Sequence, residues 1–223
     1  MTLIVIDGLD GSGKATQSAL LAGHFENLAV SVSKISFPMY DKPSGALVKS
    51  YLAGEFGENP ADTGPYAASA MFALDRYISY QTDWHKLDGV VIADRYTTAN
   101  AIHQMTKIPQ SQWDEFLAWL HDFEHVKLGL PTPDLVIYLD LPHQMAQNLV
   151  KSRSDSTGQK IDIHERDTSH LERSREAGLY AAEKLGWHVI RCNDGDTLLP
   201  RQEIFAEIIA AAKAVVVEND EKV

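Results

Sequence analysis

Five short apolar runs punctuate the chain, at 3–7, 30–37, 90–94, 135–140 and 188–192. They are β-branched and nearly continuous rather than alternating, as strands covered on both faces must be. Longer segments with helical periodicity separate them, over 14–28, 43–53, 65–86, 110–126, 142–152, 166–185 and 200–216. The last sets Ile204, Ile208, Ile209, Ala212 and Val215 on one stripe, which is expected to pack on the core. Strand–helix alternation predicts an α/β fold. It is expected to be a three-layer sandwich, a five-stranded parallel sheet flanked by helices, with right-handed crossovers.

One segment breaks this rhythm. Residues 151–162 (KSRSDSTGQKID) are polar and carry both charges. They read either as a surface loop or as a mobile lid over a phosphate site. The end of the chain, from Glu218, reads as frayed and solvated.

Composition narrows the function classes. The 223 residues hold 20 Lys plus Arg against 31 Asp plus Glu, a net charge of −11. That balance disfavours a sequence-independent grip on nucleic acid, which runs on clustered cations. A hydrophobic share of 44% is ordinary for a globular domain and argues against a disordered chain. No apolar run approaches the roughly 20 residues of a membrane span. The lone Cys192 cannot form an internal disulfide, so a reducing cytoplasm is the expected setting. The length fits one domain spanning 1–223.

The strongest chemical signal lies at the first strand's end. Gly8, Leu9, Asp10, Gly11, Ser12, Gly13 and Lys14 form GxxxxGK between a strand and an amphipathic helix. Its glycines let successive backbone N–H groups turn inward as an anion nest, and Lys14 can reach the outer phosphates. The hydroxyl residue that normally follows the lysine is missing. Ala15 stands there, with Thr16 next. Water could replace that ligand on Mg²⁺, Thr16 could supply it after a helical shift, or the site could be a non-catalytic binder. A second signal is Asp94-Arg95 at the end of the third apolar run. At that sheet edge the carboxylate can meet Mg²⁺, directly or through water, and the guanidinium a phosphate. A buried ion pair holding a turn is the competing reading.

Taken together, GLDGSGK at 8–14, FPMYD at 37–41, FALDR at 72–76, DRYTTANAIHQ at 94–104, GLPTPDLVIYLD at 129–140 and KIDIHERD at 160–167 resemble the thymidylate kinase family. That resemblance implies a P-loop kinase fold with a mobile lid at about 151–162. It also implies transfer of the γ-phosphoryl group of ATP to dTMP with Mg²⁺ as cofactor, in a cytoplasmic homodimer. It implies that 8–16 bind ATP and that Lys14, Asp94, Arg95 and Arg153 are catalytic. Asp10, Phe37, Tyr40, Phe72, Arg76, Arg95, Asn100 and Gln104 are implied for dTMP. Asp10 would receive the sugar 3′-hydroxyl, Phe72 would stack on thymine and Arg76 would contact its O4. Asp162 and Glu165 resemble the acidic pair that follows the lid.

Several positions depart from the family's pattern. Asp7 stands where Glu is commoner, Met39 where an Arg often sits, and His103 where Tyr is common. The P-loop position that carries a cation in one branch is Gly11 here. The charge is therefore assigned to the lid, with Lys151, Arg153 and Lys160. The other histidines show no metal-ligand spacing and read as surface or packing residues. A deoxynucleoside kinase, with Asp7 as general base, is the nearest alternative. A P-loop binding module without catalysis is the other.

Overall fold

The computed structural model describes residues 1–157 and 168–220, with side chains described up to Ser152 and from Ser169 to Val216. Strands β1 (Thr2–Gly8), β2 (Val32–Ser36), β3 (Val90–Asp94), β4 (Leu135–Asp140) and β5 (His188–Arg191) form one parallel sheet in the order β2-β3-β1-β4-β5. Register runs Ile4↔Ile92 on one side of β1 and Ile6↔Ile137 on the other. From β1 the chain crosses to the edge strand β2, returns to β3 beside β1, and then crosses to β4 and β5 on the other side, so the direction reverses beside the carboxyl end of β1. Ligands of open α/β sheets bind in that crevice.

Both sheet faces are covered, which is why the strands lack polar alternation. Ile4 and Ile6 pack with Leu21 and Phe25 of α1 (Lys14–Asn27) and with Ile204, Ile208 and Ala212 of α8 (Arg201–Asp220). The α8 stripe closes on Val216, with Val215 only half-buried. Leu3 and Val5 of β1 face Val91, Ala93, Trp84, Tyr96 and Leu130 instead. A further cluster joins Ala101 of α4 (Thr98–Gln104), Phe116 and Leu120 of α5 (Trp113–His121), and Ala177 and Ala181 of α7 (Thr168–Leu185). No helix among the described residues is long and apolar enough to cross a membrane.

Several expected boundaries move. The helix expected over 65–86 is α3 (Pro65–Ser79) followed by a π-helical turn at Tyr80–Trp84. The one expected over 110–126 is α5 followed by a second π turn, Asp122–Lys127. Over 43–53 a 3-10 turn (Pro43–Gly45) leads into helix α2 (Ala46–Leu52). Helix α6 (His143–Thr157) runs past 152, so the first half of the expected lid is helical. Residues 158–162 of that segment, Lys160 and Asp162 among them, lie outside the described residues, as does Glu165. Two elements went unforeseen. Helix α4 buries all seven of its residues, so it has no polar face to make a period visible. Strands β6 (Asn193–Asp194) and β7 (Thr197–Leu198) form a two-residue hairpin.

Candidate active site

Between β1 and α1 the loop wraps tightly. Gly13 opens α1 at φ +92°, a left-handed conformation that an L side chain resists. Gly11, at φ +87°, lies so close to α6 that an added Cβ would sit 2.3 Å from the Ala146 carbonyl oxygen. A side chain at position 11 would have to displace α6. Lys14 Nζ donates to the carbonyl oxygens of Gly8 (3.0 Å) and Leu9 (2.8 Å) and stands 3.8 Å from Asp10 Oδ1. Burial lowers its pKa, with the neighbouring Arg95 guanidinium adding to the effect against Asp10, Asp7 and Asp94.

Arg95 follows β3 in the left-handed region at φ +66°. A non-glycine residue held there is strained, and such strain clusters at functional sites. Its guanidinium donates to the Asp10 carboxylate. Burial alone would raise the Asp10 carboxyl. The Arg95 and Lys14 charges overturn that and hold it far below the usual carboxylate range. Asp7 lies deeper, fully buried, accepting from Thr98 Oγ1 (2.5 Å) and from the Gly8 N–H (2.8 Å). Burial raises its pKa despite Arg95 and Lys14. Asp94, half-buried, closes the same edge.

A cavity of about 840 Å³ runs from this cradle to a side-chain-lined end. Arg76, on α3, is only 1% exposed. Its Nε and Nη2 donate to Glu124 Oε2 (2.8 Å) and Oε1 (2.7 Å). Asn100 Nδ2 of α4 also donates to Glu124 Oε1 (2.8 Å) and to the Ser69 carbonyl (3.2 Å). Glu124 sits on the second π turn, where the widened backbone turns an acidic side chain inward. Next to Arg76, Asp75 accepts from the Met39 N–H (2.8 Å) and Ser44 Oγ (2.6 Å), so α3 also ties down the 37–45 loop. Phe72 meets the Tyr51 ring edge-on at 6.0 Å, and Phe37 packs on Tyr96. His103 is buried and lies parallel to His170, ring centroids 6.0 Å apart. Burial, reinforced by Arg95, keeps it well below an ordinary histidine pKa.

Of the residues singled out from the sequence, Asp10 to Thr16, Phe37, Tyr40, Phe72, Arg76, Asp94, Arg95, Asn100 and Gln104 all line this one cavity. Gly8 and Leu9 do not. Leu9 packs in the core, and both contribute through carbonyls that hold Lys14. Asp7, the candidate general base of a nucleoside kinase, is fully buried and not on the wall. The side chain of Arg153 lies outside the described residues. Sequence reasoning missed Glu124 and Asp75, and missed the far wall of Leu149, Leu198, Leu199, Arg201 and Ile204. Asp75 stood in plain view beside Arg76. Glu124 carried no signal, being 48 residues from its partner.

A sequence model described as thymidylate kinase matches residues 6–202, which spans these wall residues except Ile204. The chain belongs to the thymidylate kinase family. It is 32% identical over 176 residues to the thymidylate kinase of Mycobacterium tuberculosis strain H37Rv, covering 77% of this chain and 81% of that one. It is 31% identical over 159 residues to a probable thymidylate kinase of Thermococcus kodakarensis, covering 67% and 71%. The solved thymidylate kinase of Candida albicans shares the fold with a TM-score of 0.63, at 21% identity over 98% of this chain and 92% of that one. In this thymidylate kinase family member, Arg76 is held at two of its nitrogens at the cleft's inner end. Asn100 of α4 shares with it one buried carboxylate, that of Glu124 on the second π turn.

Proposed function

We propose that this chain transfers the γ-phosphoryl group of ATP to dTMP, giving dTDP, and works as one kinase domain over 1–223. The observation that carries the reading is the single cavity. It joins a lysine-bearing anion nest to a buried, pre-aimed arginine with an aromatic ring one helical turn away.

The chemistry needs no covalent enzyme intermediate. An acceptor phosphate oxygen attacks the γ-phosphorus in line as the bond to the β,γ-bridging oxygen breaks. ADP leaves with that electron pair. An ionised phosphate is already a nucleophile, so the protein positions and neutralises charge. In this reading residues 8–16 hold the ATP phosphates through backbone N–H groups. Lys14 exchanges its Gly8 and Leu9 carbonyl partners for phosphate oxygens. Arg95 grips the acceptor phosphate, while Asp10 keeps it aligned and takes the sugar 3′-hydroxyl. Phe72 stacks on the base, and Phe37 and Tyr40 close the pocket. With Nε and Nη2 of Arg76 committed to Glu124, its Nη1 is the donor for thymine O4, beside Asn100 and Gln104. Cytosine offers an amino group there and would leave the donor unsatisfied. Arg153, with Lys151 and Lys160, is assigned to the donor phosphates from the lid.

The donor set suits Mg²⁺, which takes one or two carboxylates, several waters and substrate phosphates. Asp94 is the cavity-lining carboxylate left for it, since Asp10 is taken by Arg95 and Asp7 by Thr98. Water takes the place of the hydroxyl that Ala15 lacks. Bound there, the ion would neutralise charge on the phosphates. We assign the chain to the cytoplasm and read it as a homodimer. Supporting the dimer, α3 leaves Leu74 and Ile78 exposed one turn apart. Tyr66 is exposed on the same helix while its ring packs on Phe116 and Trp119, and Met71 and Tyr77 are half-buried.

The test is a coupled ADP-release assay with ATP and Mg²⁺, offering dTMP, dUMP, dCMP, UMP and thymidine in parallel. Turnover on dTMP, with dUMP weaker and dCMP silent, supports the reading. Turnover on thymidine but not dTMP replaces it with a nucleoside kinase. ATP binding with no turnover on any acceptor replaces it with a binding module.

A further inference from the structure

A second cavity, of about 310 Å³, lies away from the catalytic cleft between α4, α5, the start of β4 and the segment before β5. Leu117, Leu120 and Trp187 give it apolar walls, but two imidazoles also line it: His121, the last residue of α5, and His125, four residues on in the π turn. Their ring centroids are 5.4 Å apart with the planes at 51°. Two histidines four apart on one helical face are the spacing by which helices grip a metal ion from one side.

The hydrogen bonding of His125 goes further. Its Nδ1 lies 2.9 Å from the Leu130 carbonyl oxygen. A carbonyl only accepts, so Nδ1 must carry the proton, and the Nε2 lone pair is left free. A ring N–H donating to a backbone carbonyl is the outer-shell contact that orients metal-ligating histidines and fixes their tautomer. His121 is exposed, so its ring can turn toward an incoming ion without disturbing the core. Burial also keeps His125 below an ordinary histidine pKa, favouring the neutral ring that a metal needs.

We propose that His121 and His125 form a binding site for one transition-metal cation of the Zn²⁺ or Cu²⁺ type, with water completing its coordination. Imidazole donors select this class over Mg²⁺, which prefers oxygen. The site is thus chemically separate from the Mg²⁺ expected at the phosphates. Its position is consequential. Glu124, the carboxylate gripping Arg76 and Asn100, lies between the two histidines in sequence, so a bound ion staples the turn that carries it.

Isothermal titration of the nucleotide-free protein with ZnCl₂ in excess Mg²⁺ tests this, alongside thermal melts with and without Zn²⁺. We expect one Zn²⁺ per chain and a rise in Tm, as any ligand of the folded state produces. His121→Ala should weaken binding by at least about tenfold and abolish the Tm rise without lowering the metal-free Tm. His125→Asn should do the same to binding. Zn²⁺ affinity unchanged in His121→Ala, or no binding to the wild type below millimolar Zn²⁺, overturns the site. So does metal-dependent stabilisation that survives both substitutions, since the ion would then sit elsewhere, for example at the stacked His103 and His170.

Discussion

The two ends of the catalytic cavity are built from different material. At the end proposed for phosphates, the contiguous stretch 8–16 shapes the site through its backbone, and the lysine is braced by carbonyls five and six residues away. At the base end, side chains hold side chains, and the partners come from α3, α4 and a π turn 48 residues beyond Arg76. A backbone nest tolerates varied side chains as long as the chain can turn. A buried guanidinium tolerates almost nothing, because losing its carboxylate leaves an uncompensated charge away from water.

The largest effect should follow from breaking the base end. Glu124→Leu strands Arg76 and should cost about 3–5 kcal/mol of stability, read by denaturant unfolding. Adding Arg76→Met to Glu124→Leu should restore most of that stability while leaving dTMP affinity lost. If the double variant were no more stable than the single, the buried pair would not be the source of the loss. The phosphate end should respond in rate instead. Lys14→Ala should lower kcat about 10²–10³-fold, by analogy with removal of one charge-stabilising donor. Its Tm should hardly move, because the side chain serves only loop carbonyls and a neighbouring acid. A smaller effect tests the nest itself. Gly11→Ala places a methyl against the Ala146 carbonyl at a positive φ, for about 1–3 kcal/mol of lost stability. A thermal melt that matches wild type would mean that α6 yields freely there.

The smallest effect belongs to a flank of the base end. Lys107 donates to Tyr51 Oη (2.9 Å) and the Thr63 carbonyl (2.8 Å), behind the ring that meets Phe72. Burial lowers its pKa to about 7. The unfolded chain holds that proton up to about pH 10.4. Between pH 7 and 10 the unfolded state therefore binds more protons than the native one, and stability rises with pH. The penalty is complete below pH 7. Tm measured from pH 6 to 9 should climb in wild type relative to Lys107→Met, and parallel curves would refute the assignment.

This contrast also explains what the sequence could reveal. The P-loop was legible because its function resides in consecutive residues with strict backbone needs. The five strands were legible because a sheet buried on both faces must be apolar throughout. Asp94-Arg95 was legible from its place at a strand's end. Glu124 was not, since a glutamate on a long helical pattern looks like any solvated position until the π turn rotates it inward. Helix α4 escaped for a related reason, as complete burial erases periodicity. Of the far wall, Leu198 and Leu199 belong to and follow a hairpin too short to leave a pattern, whereas Arg201 and Ile204 sit on an expected helix whose stripe was read as core alone. His121 and His125 were visible as letters, and the structure adds the cavity they share and the Leu130 carbonyl beside His125.

The burial of α4 bears on how readily this pocket could be adapted. Its seven residues serve the cavity, the Asp7 carboxylate of β1, the sheet or the packing against α5 and α7, and all seven are buried. Such a segment has no silent positions where a lineage can drift before acquiring a new preference. A change at Asn100, His103 or Gln104 must satisfy the ligand and the core at once. Attempts to redirect the enzyme to another nucleobase should therefore begin at the more permissive 37–45 loop, where Met39 and Tyr40 already reach the surface.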